Sequence, residues 1–338
     1  MIEYIIKRLL IFIPTLFVIT VITFTICRMA PGDPTEMKIG GTQEAMKTDA
    51  KNQISETTKE YYRKKFGLDK PIWQQYFIWI GNMLQGDFGN SFKDDRPVIS
   101  KILERLPITI TINLLSFFLI YSIAIPIGIY SAAKQYSFWD RTSTVFLFVL
   151  YSLPNFWIGT LAIVFLCNVE YFKIFPAAGI QSLNYETLSF FGKILDRAHH
   201  LILPVIISSV TALAFLSRQM RSSMLEVIRQ DYIRTARAKG LEEKKVIMKH
   251  ALRNSLIPII TIFGGLLPAM VGGSIIIEYI FTIPGMGQLF YQAILDRDYP
   301  LIMAELFLIA VLTVIGVLIV DIIYSIIDPR ISFTKKST

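Results

Sequence analysis

Cysteine is nearly absent from the chain: Cys27 and Cys167 are the two among 338 residues. Two thiols cannot build a metal cluster or a disulfide framework, and their apolar neighbours read them as two separate thiols rather than one bridge. Charge is scarce as well, at 18% of residues against roughly a quarter in a soluble domain. No G-x-x-x-x-G-K-[ST] phosphate loop occurs; the single Gly-Lys pair, Gly192-Lys193, is followed by Ile194. ATP binding and hydrolysis by that route are excluded. Histidine is limited to three residues, and His199 with His200 reads as an interfacial pair rather than a metal site.

What the chain has instead is apolar residues, 53% of the total, gathered into runs without charge. Such runs lie between Arg8 and Arg28 (19 residues), Arg105 and Lys134 (28), Arg141 and Glu170 (28), Arg197 and Arg218 (20), and Arg253 and Glu278 (24). About 20 helical residues cross a bilayer core, so each run is a candidate span. A sixth, 299–320, is interrupted only by Glu305, which sits near one end where a carboxylate can reach the interface. The expected fold is an all-α membrane protein with six transmembrane helices. The first is an uncleaved helix, because its apolar run exceeds a signal peptide's and no small-x-small site follows.

Orientation follows from Lys and Arg in the short connections. With the N-terminus inside, the inner segments hold 17 basic residues and the short outer ones hold four. Both termini are expected to be cytoplasmic. The net charge of +8 is then an inner-face belt that meets anionic head groups, with no nucleic acid needed. Every acidic residue in a span lies near its end: Glu278, Glu305 and Asp321. A proton or ion relay at the midplane is therefore not expected. The polar groups inside the spans are neutral (Thr109, Thr111, Ser116 and Ser152 among them). Asn113, Asn155, Ser208 and Thr211 are the candidates for lining a path, although helix–helix hydrogen bonding is the commoner use of such groups.

The connections divide the chain into residues 1–28 with the first span, an external module over 29–104, a five-helix region over 105–328 and a tail over 329–338. Within the module, 43–51 and 57–65 have helix-compatible composition. Residues 71–84, rich in aromatics (Trp73, Tyr76, Phe77, Trp79), suit a helix at the membrane surface, and 85–90 is a glycine-punctuated loop. In the basic inner connection between Arg218 and Arg253, Asp231 can cap a short helix over 232–239, with Gly240 at the closing turn. A second amphipathic helix over 242–253 puts Val246, Met248 or Ile247, and Leu252 on its apolar side. Composition leaves open whether these helices rest on lipid or dock a partner.

The stretch Asp231-Tyr232-Ile233-Arg234-Thr235-Ala236-Arg237-Ala238-Lys239-Gly240 resembles the cytoplasmic signature of type I importer permeases of the ATP-binding-cassette class, E-A-A-x-x-x-G followed by I-x-L-P. Arg234, Thr235 and Ala236 stand at the first three positions, His250 and Leu252 at the I and L, and Arg253 at the proline. These departures are similar to the oligopeptide, dipeptide and nickel permease branch. So are Ala30-Pro31-Gly32-Asp33-Pro34, Pro154-Asn155-Phe156-Trp157, Ile283-Pro284-Gly285-Met286-Gly287, Arg297-Asp298-Tyr299-Pro300 and Asp328-Pro329-Arg330-Ile331. The resemblance implies the type I importer permease fold and no cofactor. It implies a second homologous permease, two cytoplasmic ATPases, an extracytoplasmic binding protein and a peptide substrate, oligopeptide first. Residues 231–240 would couple to an ATPase.

Overall fold

The computed structural model describes residues 2–29 and 69–327. The stretches 30–34, 43–51 and 57–65 and the tail with residues 328–331 lie outside them. Among the described residues the chain is helical, apart from turns and one isolated bridge between Asn90 and Pro97. Five stretches are long and apolar enough to cross a membrane: Leu10–Met29, Val98–Ala133, Phe190–Ile228, Ile257–Ile280 and Tyr299–Tyr324. A sixth is a bent pair, Phe138–Ser152 with Asn155–Cys167, whose arms meet at 92°.

The first helix, α1 (Ile2–Met29), leaves Leu10, Ile13, Phe17, Ile22 and Ile26 half exposed or more. In water such a face is a liability; against lipid tails it costs nothing. The aromatic helix α2 (Ile72–Leu84) packs against this span. Its Tyr76 hydroxyl meets Thr20 Oγ1 at 2.9 Å and its ring packs edge-on against Phe24, while Trp79 packs on Phe24 and on Phe307 of the last helix. Thr20 lies eight residues before Arg28, about 12 Å down the helix axis. The aromatic stripe of α2 thus packs between α1 and the last helix, where it finds apolar partners. Gly86 and Gly89 then turn the chain at φ +79° and +69°, as the glycine punctuation suggested.

Helix α3 (Val98–Ala133) begins at Val98, well before the charge-free run after Arg105. After α4 (Phe138–Ser152), Leu153 adopts an extended conformation before Pro154, which cannot continue a helix from its N–H side. The second arm, α5 (Asn155–Ala162), follows at right angles and ends in a π turn, Ile163–Cys167. Cys27 and Cys167 are both free thiols.

The fourth span is α6 (Phe190–Ile228), 39 residues and about 58 Å long, nearly twice the bilayer core. The connection between the fourth and fifth spans thus begins as helix: Arg218, Arg221 and Glu226 lie on α6 rather than in a loop. α3 and α6 pack along their length and form the centre of the fold. The fifth span is segmented into α10 (Ile257–Phe263), α11 (Leu266–Gly272) and α12 (Ile275–Ile280). After α13 (Met286–Leu295), the last helix α14 (Tyr299–Ile327) packs on α1 and on α11.

Two features were not read from the sequence. Asp298 is buried and accepts from Phe92 N (2.9 Å) and Ser91 Oγ, while Lys93 pairs with Asp296 at 2.5 Å. Together they clamp residues 91–93 to the start of α14. Glu305 is fully buried, and neither carboxylate oxygen has a hydrogen-bond partner among the described residues.

Candidate functional site

Past α6 the chain extends at Gln230 and immediately re-enters helix as α7 (Asp231–Ala238). Asp231 is the first helical residue, not the cap: no side-chain capping bond forms, and its carboxylate lies in solvent 3.6 Å from the Arg234 guanidinium. The helix closes one residue earlier than expected, at Lys239, and Gly240 takes φ +75° while its N–H donates to Arg237 O. That turn needs the left-handed region, which glycine enters without strain. A Cβ on Gly240 would touch nothing within 4 Å. Gly240→Ala should therefore cost only about 1 kcal/mol of backbone strain, seen as a small shift in a thermal unfolding midpoint.

The helix has a seated side and a free side. Ile233 and Ala236, one turn apart, are buried against Met220 and Met224 of α6, Ala132 of α3, and Val246 and Ala251 of the following turn. Two polar ties fix the edges. Tyr232 Oη accepts from Asn254 Nδ2 at 2.7 Å, and Arg237 clasps Glu243 through Nε (3.0 Å) and Nη2 (2.7 Å). On the free side Asp231, Tyr232, Arg234, Thr235, Ala238 and Lys239 are exposed. The result is a short, mostly cationic helix, low in relief at Thr235 and Ala238, joined rigidly to the ends of two spans. It carries no catalytic grouping; what it can do is receive a partner and pass on movement.

Hydrogen bonding to Arg237 holds the Glu243 carboxyl below the usual carboxylate range. A depressed folded pKa contributes stability that is present above the unfolded value of about 4.3 and is lost as pH falls through the folded one. Hydrogen-exchange protection over 237–243 should stay level from about pH 8 to 5 and decline below about pH 4. Glu243→Gln should remove that decline.

The expected amphipathic helix over 242–253 is broken into α8 (Glu243–Lys245), a π turn Val246–Ala251 and α9 (Leu252–Ser255). Val246 is buried as its spacing suggested; Ile247 packs on the core and Met248 is half exposed.

Of the four path candidates, the structure brings together two. Asn113 and Ser208 line one cavity of about 330 Å³ with Phe117, Tyr121, Phe215 and Ala269. Asn113 Nδ2 donates to Ala269 O at 2.7 Å, and Ser208 Oγ is buried without a partner among the described residues. Thr211 and Asn155 bond to each other (2.5 Å) and tie α5 to α6 instead. Ser116 bonds Val205 O, while Thr111 and Ser152 bond their own helices. His199 and His200 each meet a backbone carbonyl, Ile174 O and Asp196 O.

Sequence reasoning also passed over a carboxylate cradle. Glu278 is 3% exposed and accepts from Thr109 Oγ1 (3.1 Å), Gln288 N (2.9 Å) and Ser274 N (3.4 Å). Thr109 Oγ1 accepts in turn from Met286 N at 2.8 Å. The signal was present in the glycines of Gly272-Gly273 and Gly285-Met286-Gly287, which let backbone approach a side chain this closely.

A family model for the inner membrane component of binding-protein-dependent transport systems matches residues 124–333, and one for the N-terminal part of such membrane components matches residues 1–113. The oligopeptide transport system permease protein AppB of Bacillus subtilis (strain 168) is 45% identical over 335 residues, covering 98% of this chain and 100% of that protein. The dipeptide transport system permease protein DppB of Escherichia coli (strain K12) is 34% identical, covering 99% and 100%. The di/tripeptide transport system permease protein DppB of Pseudomonas aeruginosa (strain UCBPP-PA14) is also 34% identical, covering 98% and 99%.

Proposed function

The chain belongs to the inner membrane component family of binding-protein-dependent transport systems, and we propose that it is the permease subunit of an ATP-driven importer of peptides, oligopeptides first. The observation that carries this reading is the seat of α7: two apolar anchors and two polar ties beneath a free cationic face. A cytoplasmic ATPase takes that face, Arg234, Thr235, Ala238 and Lys239 foremost, in a cleft. Closure of two such motors on ATP pushes α7 and, through Ile233 and Ala236, α6 and α3 as rigid bodies. The pathway between this chain and a second, homologous permease then turns outward to receive peptide from an extracytoplasmic binding protein. Both termini face the cytoplasm, and hydrolysis belongs to the ATPase subunits. Residues 29–104 form the external module and 105–328 the transmembrane domain. Asn113 and Ser208 line this chain's half of the path.

Arg234→Glu and Gly240→Asp test the reading in proteoliposomes holding the whole complex. Both should abolish ATP-dependent uptake of labelled peptide while the chain still folds. Uptake that survives both, or a chain that purifies with no ATPase, would sink it. Whether the cargo is an oligopeptide, a dipeptide or a nickel chelate is decided by the ligand of the cognate binding protein. One observation favours a second reading, an ion-coupled carrier: the buried, unpartnered Glu305. That carrier would lose uptake in Glu305→Gln and on addition of a protonophore without ATP; the importer would not.

A further inference from the structure

On the inner half of the molecule, a cavity of about 620 Å³ opens between α4 and α6. It is lined by Arg218, Arg221, Ser222, Leu225, Glu226 and Arg229, with Thr144 facing them from α4. The α6 residues recur at spacings of three and four and so form one stripe over three turns. At its base Arg221 is committed: Nε and Nη2 donate to Asp140 at 2.7 and 2.9 Å, a neutral pair. Arg218 and Arg229 are exposed and have no ion-pair partner among the described residues. Against Glu226, the cavity is left with one net positive charge.

Its level is set by the neighbouring side chains. Phe138 and Trp139, in the first turn of α4, are 77% and 65% exposed, the placement of an interfacial aromatic belt. One and two turns beyond Thr144, Phe148 and Tyr151 continue the same face of α4, each about half exposed. A polar, cationic recess thus opens onto an exposed aromatic wall.

We propose that this recess is a binding site for the head group of a phospholipid of net charge −1, with phosphatidylglycerol the simplest fit. Arg218 and Arg229 hold the phosphodiester, Thr144 and Ser222 offer hydroxyl donors, and Glu226 accepts from the glycerol hydroxyls. The charge then balances, and an acyl chain lies along Phe148 and Tyr151. Basic pockets between membrane helices on the cytoplasmic side suit this chemistry, and guanidinium matches a phosphodiester in planar, two-pronged fashion. Free phosphate lacks the chain that the wall accommodates. Because Arg229 closes α6 just before Gln230 and α7, a lipid held there braces the helix on which the coupling element hangs. That last effect rests on the importer reading; the binding itself does not.

The test uses the full chain in phosphatidylcholine nanodiscs with a minor fraction of spin-labelled phosphatidylglycerol, read as the motionally restricted fraction. Wild type should prefer phosphatidylglycerol over labelled phosphatidylcholine by about 10- to 30-fold. Arg218→Gln/Arg229→Gln should lose most of that preference, Arg218→Lys/Arg229→Lys should retain part of it, and Arg141→Gln, an exposed arginine outside the cavity, should retain it all. Thr144→Asp, which places a carboxylate in the recess and leaves the arginines intact, should lower it independently. No preference in wild type overturns the proposal whatever the variants do. So does a preference unchanged in folded Arg218→Gln/Arg229→Gln, or one abolished by inorganic phosphate at the lipid's concentration. Loss of ATPase co-purification in that variant with lipid preference intact would make the arginines a protein contact and overturn it too. None of these readouts uses cargo or ATP, so failure here leaves the importer reading standing.

Discussion

Asp140→Ala is expected to destabilise the folded chain by about 3 kcal/mol, the lower end of the cost of stripping one partner from a buried ion pair. The carboxylate is 3% exposed and accepts three hydrogen bonds, two from Arg221 and one from Tyr136 N at 2.9 Å. It thereby joins the start of α4 to α6 and to the turn before it. Removing it leaves the Arg221 guanidinium, 28% exposed, without its counter-charge. That residual exposure is why the lower end applies. Asp140→Leu/Arg221→Met should recover most of the loss, because neither member is then left charged and alone. Unfolding in detergent micelles, followed by helical signal against denaturant, reads both. A double variant as unstable as the single one would show that the geometry at Tyr136, not the charge pair, holds the junction.

Gly273→Ala should be the more damaging glycine substitution, costing about 3 kcal/mol or more where Gly240→Ala costs about 1. Gly273 sits at φ +60°, ψ −166°, a region closed to side chains. A Cβ there would also lie 2.5 Å from Glu278 Oε1 and 2.7 Å from Gly287 N. Relief would require the Glu278 carboxylate to leave its three donors, and the Thr109 bond to Met286 N would follow. The cradle ties α12 and α13 to α3, so its loss should appear as selective proteolysis after α11 as well as a lower unfolding midpoint. Glu278→Gln, which keeps the shape and two of the acceptor contacts, should be milder. Equal stability of Gly273→Ala and Gly240→Ala would refute the steric account.

The spans were legible because a bilayer's demand is compositional: about 20 residues without charge can be counted between Arg8 and Arg28 or Arg253 and Glu278. Direction is not compositional. The run between Arg141 and Glu170 gave no sign that its two arms meet at 92°, although Pro154 marked where they could. Nor does position along a span reveal neighbours: Glu305 lies near an end yet is enclosed by side chains from other helices. Around α7, Gly240 was readable as the closing turn; Ala236 was expected among the residues that meet a partner, yet it is buried with Ile233 as an anchor of the helix, because a signature position says nothing of which side faces the core. The Arg237–Glu243 clasp was reachable too, six residues apart, and was not read. The Asp298 clamp on Ser91 and Phe92 bridges more than 200 residues, and no local rule points to it.

The packing of α1 has a consequence for the order of biosynthesis. Its principal partner is α14, and Phe24, Trp79 and Phe307 meet in one cluster. About 270 residues separate Met29 from Tyr299, so at ~5–20 residues per second the ribosome delivers the last helix roughly 15–50 s after the first. During that interval α1 waits in lipid, which its exposed leucines and isoleucines tolerate, with α2 already able to clasp it through Tyr76 and Thr20. The final helix then closes a site half-built since the beginning of translation. A chain halted before residue 299 would keep its first span in the membrane but leave Trp79 facing lipid where Phe307 belongs.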